Sequence, residues 1–232
     1  IESDDVSATA STYTYDSADA GSRTITANGI ALSGSAAGNY KLTSTSATTP
    51  GAITKAAVSI NWDNTAQTST YSGTQVEITA PTISSESGVT ISVLPKYSYA
   101  VQGSSGFTDN LPANAGTYTV RASVAESDNL AAAHADMTLT ISKAPLTIAS
   151  ATVASKPYDA AKTATVSGVT FTGLVNGETL APGEDYTASG EFADANAGTG
   201  KSVTVTVVLT SAKANNYNLT NSSVNATGTI TK

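Results

Sequence analysis

The chain has 232 residues, of which 12% are charged and 6% aromatic, and its formal net charge is −7. Its 11 Lys and Arg residues are scattered singly, which excludes the basic patch that a nucleic-acid-binding surface needs. The chain has no cysteine, which excludes disulfides and thiolate sites. No apolar run approaches the ~20 residues of a membrane helix, so we expect no membrane insertion in this segment.

Short segments in which apolar and polar residues alternate predict β-strands along the whole chain. In chain order the clearest are SRTITA at 22–27, GAITKAAVSI at 51–60, TYTVRASV at 117–124, TLTISKAPLTI at 138–148, KSVTVTVV at 201–208 and GTITK at 228–232. Clusters of Gly, Asn, Pro and Asp separate them, as turns require. About seven such strands in one copy of the repeat described next predict an antiparallel β-sandwich of immunoglobulin type.

The phrase Ile-(Thr/Ser)-Lys recurs at a nearly constant interval. Its isoleucines, Ile53, Ile141 and Ile230, are 88 and 89 residues apart, a length that suits one small sandwich. Each copy of the Ile-(Thr/Ser)-Lys phrase is preceded by an Ala-Gly pair and then by an Asn that a bulky residue follows. The Ala-Gly pairs start at Ala20, Ala115 and Ala197, and the Asn pairs are Asn39-Tyr40, Asn129-Leu130 and Asn216-Tyr217. The sequence therefore predicts a tandem repeat whose first copy lacks its front half.

The last copy, with VASKPYDAAKT, FADANAGTGKSVTV, NNYNL and ITK, resembles the YDG-type repeat of bacterial surface proteins. The middle copy, with TYSGT, PANAGTYTV and LTISKAPLTI, resembles the related MBG-type repeat. The last copy reads Tyr-Asp-Ala where the name-giving motif has Gly, and the middle copy has Leu130 where Tyr is usual. The resemblance implies tandem immunoglobulin-like modules of large secreted or wall-attached adhesins, and it implies no catalytic residues.

We therefore divide the chain into residues 1–55, the back half of a repeat that is incomplete or permuted, 56–143, an MBG-like module, and 144–232, a YDG-like module. We expect each copy to close its own small β core. No Gly/Ser-rich linker separates the copies, and Pro145 favours an extended backbone at Ala144. This predicts an elongated arrangement of stiffly joined modules. Residues 1–55 are expected either to pair with another segment or to leave an exposed sheet edge, which invites dimerisation.

The recurring Asn-Tyr pairs are predicted to be structural. Tyr40 and Tyr217 would bury their rings near a strand corner and bond their hydroxyls to the backbone, as in the tyrosine corner of sandwiches. The lysines of the repeated phrase, Lys55, Lys143 and Lys232, are interpreted as charges that protect strand ends. A Lys-Asn cross-link, known from some Gram-positive surface modules, is the alternative.

Carboxylates and the single histidine offer little for catalysis. His134 lies far in sequence from any nucleophile-elbow pattern, and one His without Cys supplies too few ligands for zinc. Asp4-Asp5 and Glu184-Asp185 occupy matching places in their copies, and we interpret them as turn charges. Calcium is the alternative, with Asp16, Asp19 or Asp194 as further oxygen ligands. Otherwise no cofactor or metal site is predicted.

Aromatic residues of the middle copy are the remaining candidates for binding. Trp62, Tyr97, Tyr99 and Phe107 pack in the core or a turn, or form a platform for sugar. The sequons at Asn218, Asn221 and Asn225 are expected to carry nothing if the source is bacterial. The function predicted first is a non-enzymatic spacer of a bacterial surface or secreted adhesin, hence extracellular. The alternatives are a module that binds host or surface glycan or protein, and an accessory part of a surface glycoside hydrolase. No oligomeric state is predicted.

Overall fold

A computed structural model describes residues 3–86, 90–91 and 94–232. The fold is all-β, as predicted, and consists of short strands in several mainly antiparallel sheets. In chain order the strands are β1 Ser7–Thr9, β2 Thr12–Tyr15, β3 Gly21–Asn28, β4 Ala31–Ser33, β5 Ser46–Ile53, β6 Val58–Asn61, β7 Ala66–Thr70, β8 Thr82–Ser85, β9 Lys96–Val101, β10 Gly116–Val124, β11 Ala133–Ser142, β12 Ala144–Val153, β13 Lys156–Pro157, β14 Thr163–Ala164, β15 Val166–Thr172, β16 Tyr186–Phe192, β17 Gly198–Leu209, β18 Tyr217–Leu219 and β19 Ser223–Thr231.

Two short 3₁₀ helices, Ala37–Asn39 and Ala214–Asn216, each end at the Asn of a predicted Asn-Tyr pair. The following tyrosine is extended in both cases, with φ of −123° at Tyr40 and −113° at Tyr217. The described part of the chain contains no helix that is long and apolar enough to cross a membrane.

The chain forms two compact units, and neither coincides with one predicted copy. The first unit comprises residues 1–61, 81–96 and 123–135, and the second comprises 62–80, 97–122 and 136–232. Each unit therefore contains parts of two consecutive copies. The boundaries predicted at 55/56 and 143/144 remain a division of the sequence.

The first unit contains the sheets β1-β4, β2-β3-β5 and β6-β8, all antiparallel. From residue 3 to residue 55 no side chain is fully buried, and Tyr13 is 70% exposed. The buried residues of this unit come instead from the middle copy and include Ile60 and Leu130. The first copy therefore forms regular strands without a closed core of its own.

The other three sheets have most or all of their residues in the second unit. They are the four-stranded β7-β11-β10-β9, the three-stranded β15-β12-β18 and the five-stranded β13-β19-β17-β16-β14. Along β17, Val203, Val205 and Val207 are buried while the residues between them are exposed, which is the alternation that the sequence predicts. These valines belong to a core cluster with Phe192 and Ile230.

The middle and last copies share their strand register, which shows the repeat in three dimensions. The parallel pair Ser69-Ile141 in the middle copy corresponds to Lys156-Ile230 in the last. Two residues after Ser69 and after Lys156 the same hydrogen bond recurs. Tyr71 N–H donates to Ser142 O at 2.8 Å, and Tyr158 N–H donates to the carbonyl after Ile230 at 2.9 Å. Because side chains alternate along a strand, this common register places equivalent residues on equivalent faces.

The expectation that each copy closes its own core is wrong at Lys143. One buried cluster contains Ile141 from the middle copy together with Ala144 and Leu146 from the last copy. Only Lys143 separates β11 from β12, which belong to different sheets, so the chain passes from one copy and one sheet to the next without a linker. A module of this size buries only ~60–65% of its unfolded surface, and sharing a core with its neighbour adds to that burial.

Candidate functional site: the junctions between repeats

The first junction joins the first copy to the middle copy through one side chain. The Asn129 amide accepts a hydrogen bond from Ala20 N–H at Oδ1 (2.7 Å) and donates from Nδ2 to Asp19 Oδ1 (2.9 Å). Both contacts span more than a hundred residues of sequence, and both lie within the first unit. We call this two-pronged contact the asparagine clasp.

The turn that Asn129 holds is itself ordered by neighbouring side chains. Arg23 donates from Nε to Asp19 O at 2.7 Å and from Nη2 to Ala20 O at 2.9 Å. Hydrogen bonds from Asn129 and then from Ser17 lower the pKa of Asp19 below its ordinary value. The carboxylate is therefore charged at neutral pH and accepts bonds from both copies.

The second junction, between the middle and last copies, repeats the clasp inside the second unit. Asn216 Oδ1 accepts from Ala115 N–H at 2.8 Å, and its Nδ2 donates to Asn114 Oδ1 at 3.1 Å. Asn114-Ala115-Gly116 corresponds to Asp19-Ala20-Gly21, the turn before the long alternating strand. Asn216 is only 3% exposed, so its amide depends on these partners for its hydrogen bonds.

Local sequence places each asparagine at its turn. Asn216 ends a 3₁₀ helix that Ser211 stabilises, since Ser211 Oγ accepts from Ala214 N–H at 3.0 Å. In the middle copy Ser127 lies two residues before Asn129, and its Oγ accepts from the N–H of the residue after it, Leu130, at 3.2 Å. After the asparagine the chain enters a parallel pairing, Ala56 with Leu130 and Ala144 with Tyr217. The residue after each asparagine is therefore paired with the start of its own copy, through β12 for Tyr217 and through an isolated bridge for Leu130.

At the second junction two tyrosines share one carboxylate. The rings of Tyr71 and Tyr217 meet edge to face, with centroids 5.5 Å apart at 83°. Both hydroxyls donate to Glu178, from Tyr71 to Oε1 and from Tyr217 to Oε2 at 2.6 Å. Burial, followed by the hydrogen bond to Glu178, raises the pKa of both tyrosines to about 12.

The tyrosines of the two Asn-Tyr pairs have different environments. Tyr217 is 1% exposed, and its hydroxyl also accepts from Val175 N–H at 3.2 Å. Tyr40 is 39% exposed, and its hydroxyl donates to Asp4 Oδ2 at 2.7 Å. The structure thus places both hydroxyls on carboxylates, and only Tyr217 combines a buried ring with a backbone contact.

The lysines of the repeated phrase lie at exposed positions. Lys55 forms an ion pair with Glu126 and donates to Ser127 O at 2.7 Å, within the first unit. Lys143 and Lys232 are exposed. The strand-end role and the Lys-Asn cross-link both stay predictions.

The carboxylates considered as calcium ligands make protein contacts. Asp185 accepts from Ser211 Oγ at 2.6 Å and from Ala181 N–H at 2.8 Å, and it pairs with Lys213 at 2.9 Å. These three contacts, in that order, lower its pKa to about 2. Asp5 accepts from the amide of Ser35 at 3.0 Å and from its hydroxyl at 3.2 Å.

Asp194 accepts from Lys201 Nζ at 2.6 Å, and Glu184 and Asp16 are exposed. Within residues 3–86, 90–91 and 94–232, no three His, Cys, Asp or Glu side chains group as metal ligands would. His134 is exposed. The calcium prediction rests on the sequence alone.

The aromatic residues of the middle copy pack mainly inward. Trp62, Tyr97 and Tyr99 lie against the cluster that contains Tyr71 and Tyr217, with Trp62 and Tyr97 centroids 6.2 Å apart. The Arg121 guanidinium covers the Phe107 ring at 4.2 Å. The rings do not form one open platform for a sugar.

Sequence reasoning identified the asparagines and the Ala-Gly turns as recurring marks but did not connect them. The signal was available, because both marks recur once in each of the three copies and in the same order. Glu178 was missed, because a single Glu beside a turn carries no pattern of its own. Pairing recurrent positions across copies, rather than within one copy, is what would have found the clasp.

Two known domain families match the chain. The YDG domain matches residues 1–49 and 142–226, which is more than half of the chain, and the MBG domain matches residues 49–154. No curated protein matches the chain. The two matches indicate a non-catalytic repeat or binding module, and the chain belongs to the YDG domain family, with an MBG domain between its two YDG segments.

Proposed function

We propose that the chain is a non-enzymatic spacer segment of a bacterial cell-surface or secreted adhesin, where it holds a binding region of a longer protein away from its attachment point. The observation that carries the proposal is the second junction. There a buried cluster, an asparagine clasp and a shared carboxylate connect two copies without any linker.

Such a junction resists bending for a physical reason. A flexible linker lets modules rotate freely, whereas a shared core must lose buried contacts before the modules can tilt. Burying Tyr71, Leu146 and Tyr217 contributes about 1.5–3 kcal/mol for each side chain. A spacer gains reach from this stiffness.

Solution scattering tests the spacer function. We expect an elongated particle whose profile fits one conformation, with the same dimensions at low and high salt because a buried apolar cluster and hydrogen bonds hold the second junction. A compact globule, or a profile that needs a broad ensemble of bent shapes, would contradict the proposal.

A binding module is the second candidate, and one feature favours it. A cleft in the second unit is lined by Trp62, Asp63 and Asn64, which offers polar groups beside a partly buried ring. A glycan-array signal that Trp62→Ala removes and Tyr158→Ala preserves would support this function over the spacer. If the array gives no signal, the cleft has no binding role and Trp62 only packs at the edge of the core.

A further inference from the structure

The face of the middle copy that receives the last copy consists of two parts. Tyr71 packs against Tyr217, and the turn Asn114–Gly116 receives the Asn216 amide. The last copy has both parts again. Tyr158 occupies the place of Tyr71 in the shared strand register, and the turn 196–198 occupies the place of the clasped turn.

In the last copy both parts are exposed. Tyr158 is 55% exposed, whereas Tyr71 is 6% exposed. Ala197 is exposed, whereas its equivalents Ala20 and Ala115 are partly buried under their clasps. In the part of the chain that the structure describes, the Ala197 amide donates to no acceptor, although the Ala20 and Ala115 amides both donate to an asparagine.

The exposed turn shares one ordering hydrogen bond with the clasped turn of the first copy. Asn196 N–H donates to Asp194 Oδ1 at 2.8 Å, just as Asp19 N–H donates to Ser17 Oγ at 3.1 Å in the clasped turn of the first copy. Lys201 holds the same Asp194 oxygen at 2.6 Å. Because the turn is ordered before anything covers it, little entropy would be lost when an asparagine binds.

We propose that Tyr158 and the turn 196–198 form a docking surface for the Asn-Tyr corner of a following YDG-type repeat. The incoming asparagine accepts from Ala197 N–H and donates to Asn196 Oδ1, and the incoming tyrosine packs its ring on Tyr158. The occupant is identified by the chain itself, which covers this kind of turn with an asparagine at both of its internal junctions.

The first copy shows the complementary corner without such cover. Asn39 is exposed and Tyr40 is 39% exposed, whereas Asn216 and Tyr217 are 3% and 1% exposed. The corner and the docking surface are different surfaces, so successive repeats would add head to tail. The inference deepens the proposed spacer function and rests on it only in requiring that a further repeat follows.

An extended chain tests the docking. A second copy of residues 144–232 is joined after Lys232, so that the seam reads ITKAPLTI, close to ISKAPLTI at 141–148. Hydrogen exchange at the Ala197 amide is compared between the extended and the 232-residue chains. We expect exchange to slow by at least about tenfold in the extended chain, towards the rate of the Ala115 amide.

Two matched variants make the result specific. Changing to Ala the asparagine that repeats Asn216 in the added copy should restore fast exchange at Ala197. Tyr158→Ser should also speed the exchange in the extended chain and leave the 232-residue chain unaffected, because Tyr158 is exposed there.

Equal exchange at Ala197 in the two chains would overturn the inference, provided that the added copy shows slow exchange at the amides repeating Val203 and Val205. If that copy does not fold, residues 56–143 are joined after Lys232 instead, so that the added copy presents Asn129-Leu130. Hydrogen exchange at the Ala197 amide is then compared with that of the 232-residue chain, and equal exchange overturns the inference. Slow exchange in a particle that scatters as a compact globule would reject the spacer function and keep the docking surface.

Discussion

The back half of the YDG repeat occurs twice, and the two copies share strand register but differ in burial. Tyr15 pairs with Ile25 as Phe192 pairs with Val203. Gly21 pairs with Ile53 in the first copy as Gly198 pairs with Ile230 in the last. Yet Tyr15 is 47% exposed and Phe192 is 1% exposed.

The difference lies in what covers the sheet. In the last copy Phe192 and Val203 belong to a cluster that includes Ile148 on β12, with Val153 and Phe171 packed against it. Among residues 3–55 the structure shows no counterpart of β12 or β15. The back half of a repeat therefore specifies its strands and their pairing. Burial of its sheet depends on the front half of the same repeat, and burial of its Asn-Tyr pair depends on the Ala-Gly turn of the copy before it.

The largest expected effect on stability distinguishes the buried sheet of the last copy from the exposed sheet of the first. Phe192→Ala should lower the free energy of unfolding by about 3–5 kcal/mol, because it empties a fully buried site. Tyr15→Ala, at the equivalent place, should cost less than about 1 kcal/mol. Urea denaturation of both variants measures the contrast, and similar losses would show that the two sheets are equally packed.

The corner tyrosines give a smaller contrast. Tyr217→Phe should cost about 1–3 kcal/mol, because Val175 N–H loses its acceptor and Glu178 loses a donor in a buried site. Tyr40→Phe should change stability by less than about 0.5 kcal/mol, since its hydroxyl bonds to Asp4 at the surface. Thermal melts of both variants test this, and a cost for Tyr40→Phe as large as that for Tyr217→Phe would contradict it.

The turn carboxylates Asp185 and Asp5 should differ in acid. The pKa of Asp185 is lowered to about 2 in the folded chain, from an ordinary value of 3.8, so the folded state favours the charged form. Its contribution of about 2 kcal/mol is therefore complete above pH 4 and is lost as the pH falls towards 2. The stability difference between the native chain and Asp185→Asn should shrink over that range.

Asp5→Asn, at the exposed counterpart, serves as the control and should show a weaker change with pH. A difference for Asp185→Asn that stays constant from pH 6 to pH 2 would refute this account of the turn.

The smallest expected effect sharpens the comparison between the middle and last copies. Ala160 has φ of 60°, and Gly73, two residues after the matching tyrosine, has φ of 72°. This region favours glycine, so Ala160→Gly should raise stability by up to about 1 kcal/mol. Gly73→Ala should lower it, because an added Cβ would also lie 2.7 Å from the Asn176 Cβ. A destabilised Ala160→Gly variant would show that the strain is absent.

Much of the fold could be predicted from local patterns. Alternation along SRTITA and KSVTVTVV predicted β3 and β17, and the recurring Ile-(Thr/Ser)-Lys phrase predicted the repeat. The Tyr-Asp-Ala departure from the family motif was visible as well, and its left-handed backbone explains why glycine is usual there.

The junctions could not be predicted in the same way. A strand pattern shows which residues are buried but not which neighbour buries them, so Leu146 and Ile148 looked like one core although they belong to two clusters. The clasp joins residues more than a hundred positions apart, and the carboxylate of Glu178 joins tyrosines of two copies. Such contacts follow from the packing of copies against each other, which periodicity within one copy does not contain.

The central claim is that the middle and last copies share one buried cluster and therefore unfold together. The single tryptophan, Trp62, lies in the middle copy against that cluster, and Phe192 lies in the last copy. Urea unfolding followed by Trp62 fluorescence in the native chain and in Phe192→Ala tests the claim directly. We predict that Phe192→Ala lowers the urea midpoint measured by Trp62 fluorescence as much as the midpoint measured by far-ultraviolet circular dichroism. An unchanged fluorescence midpoint beside a lowered dichroism midpoint would contradict the claim.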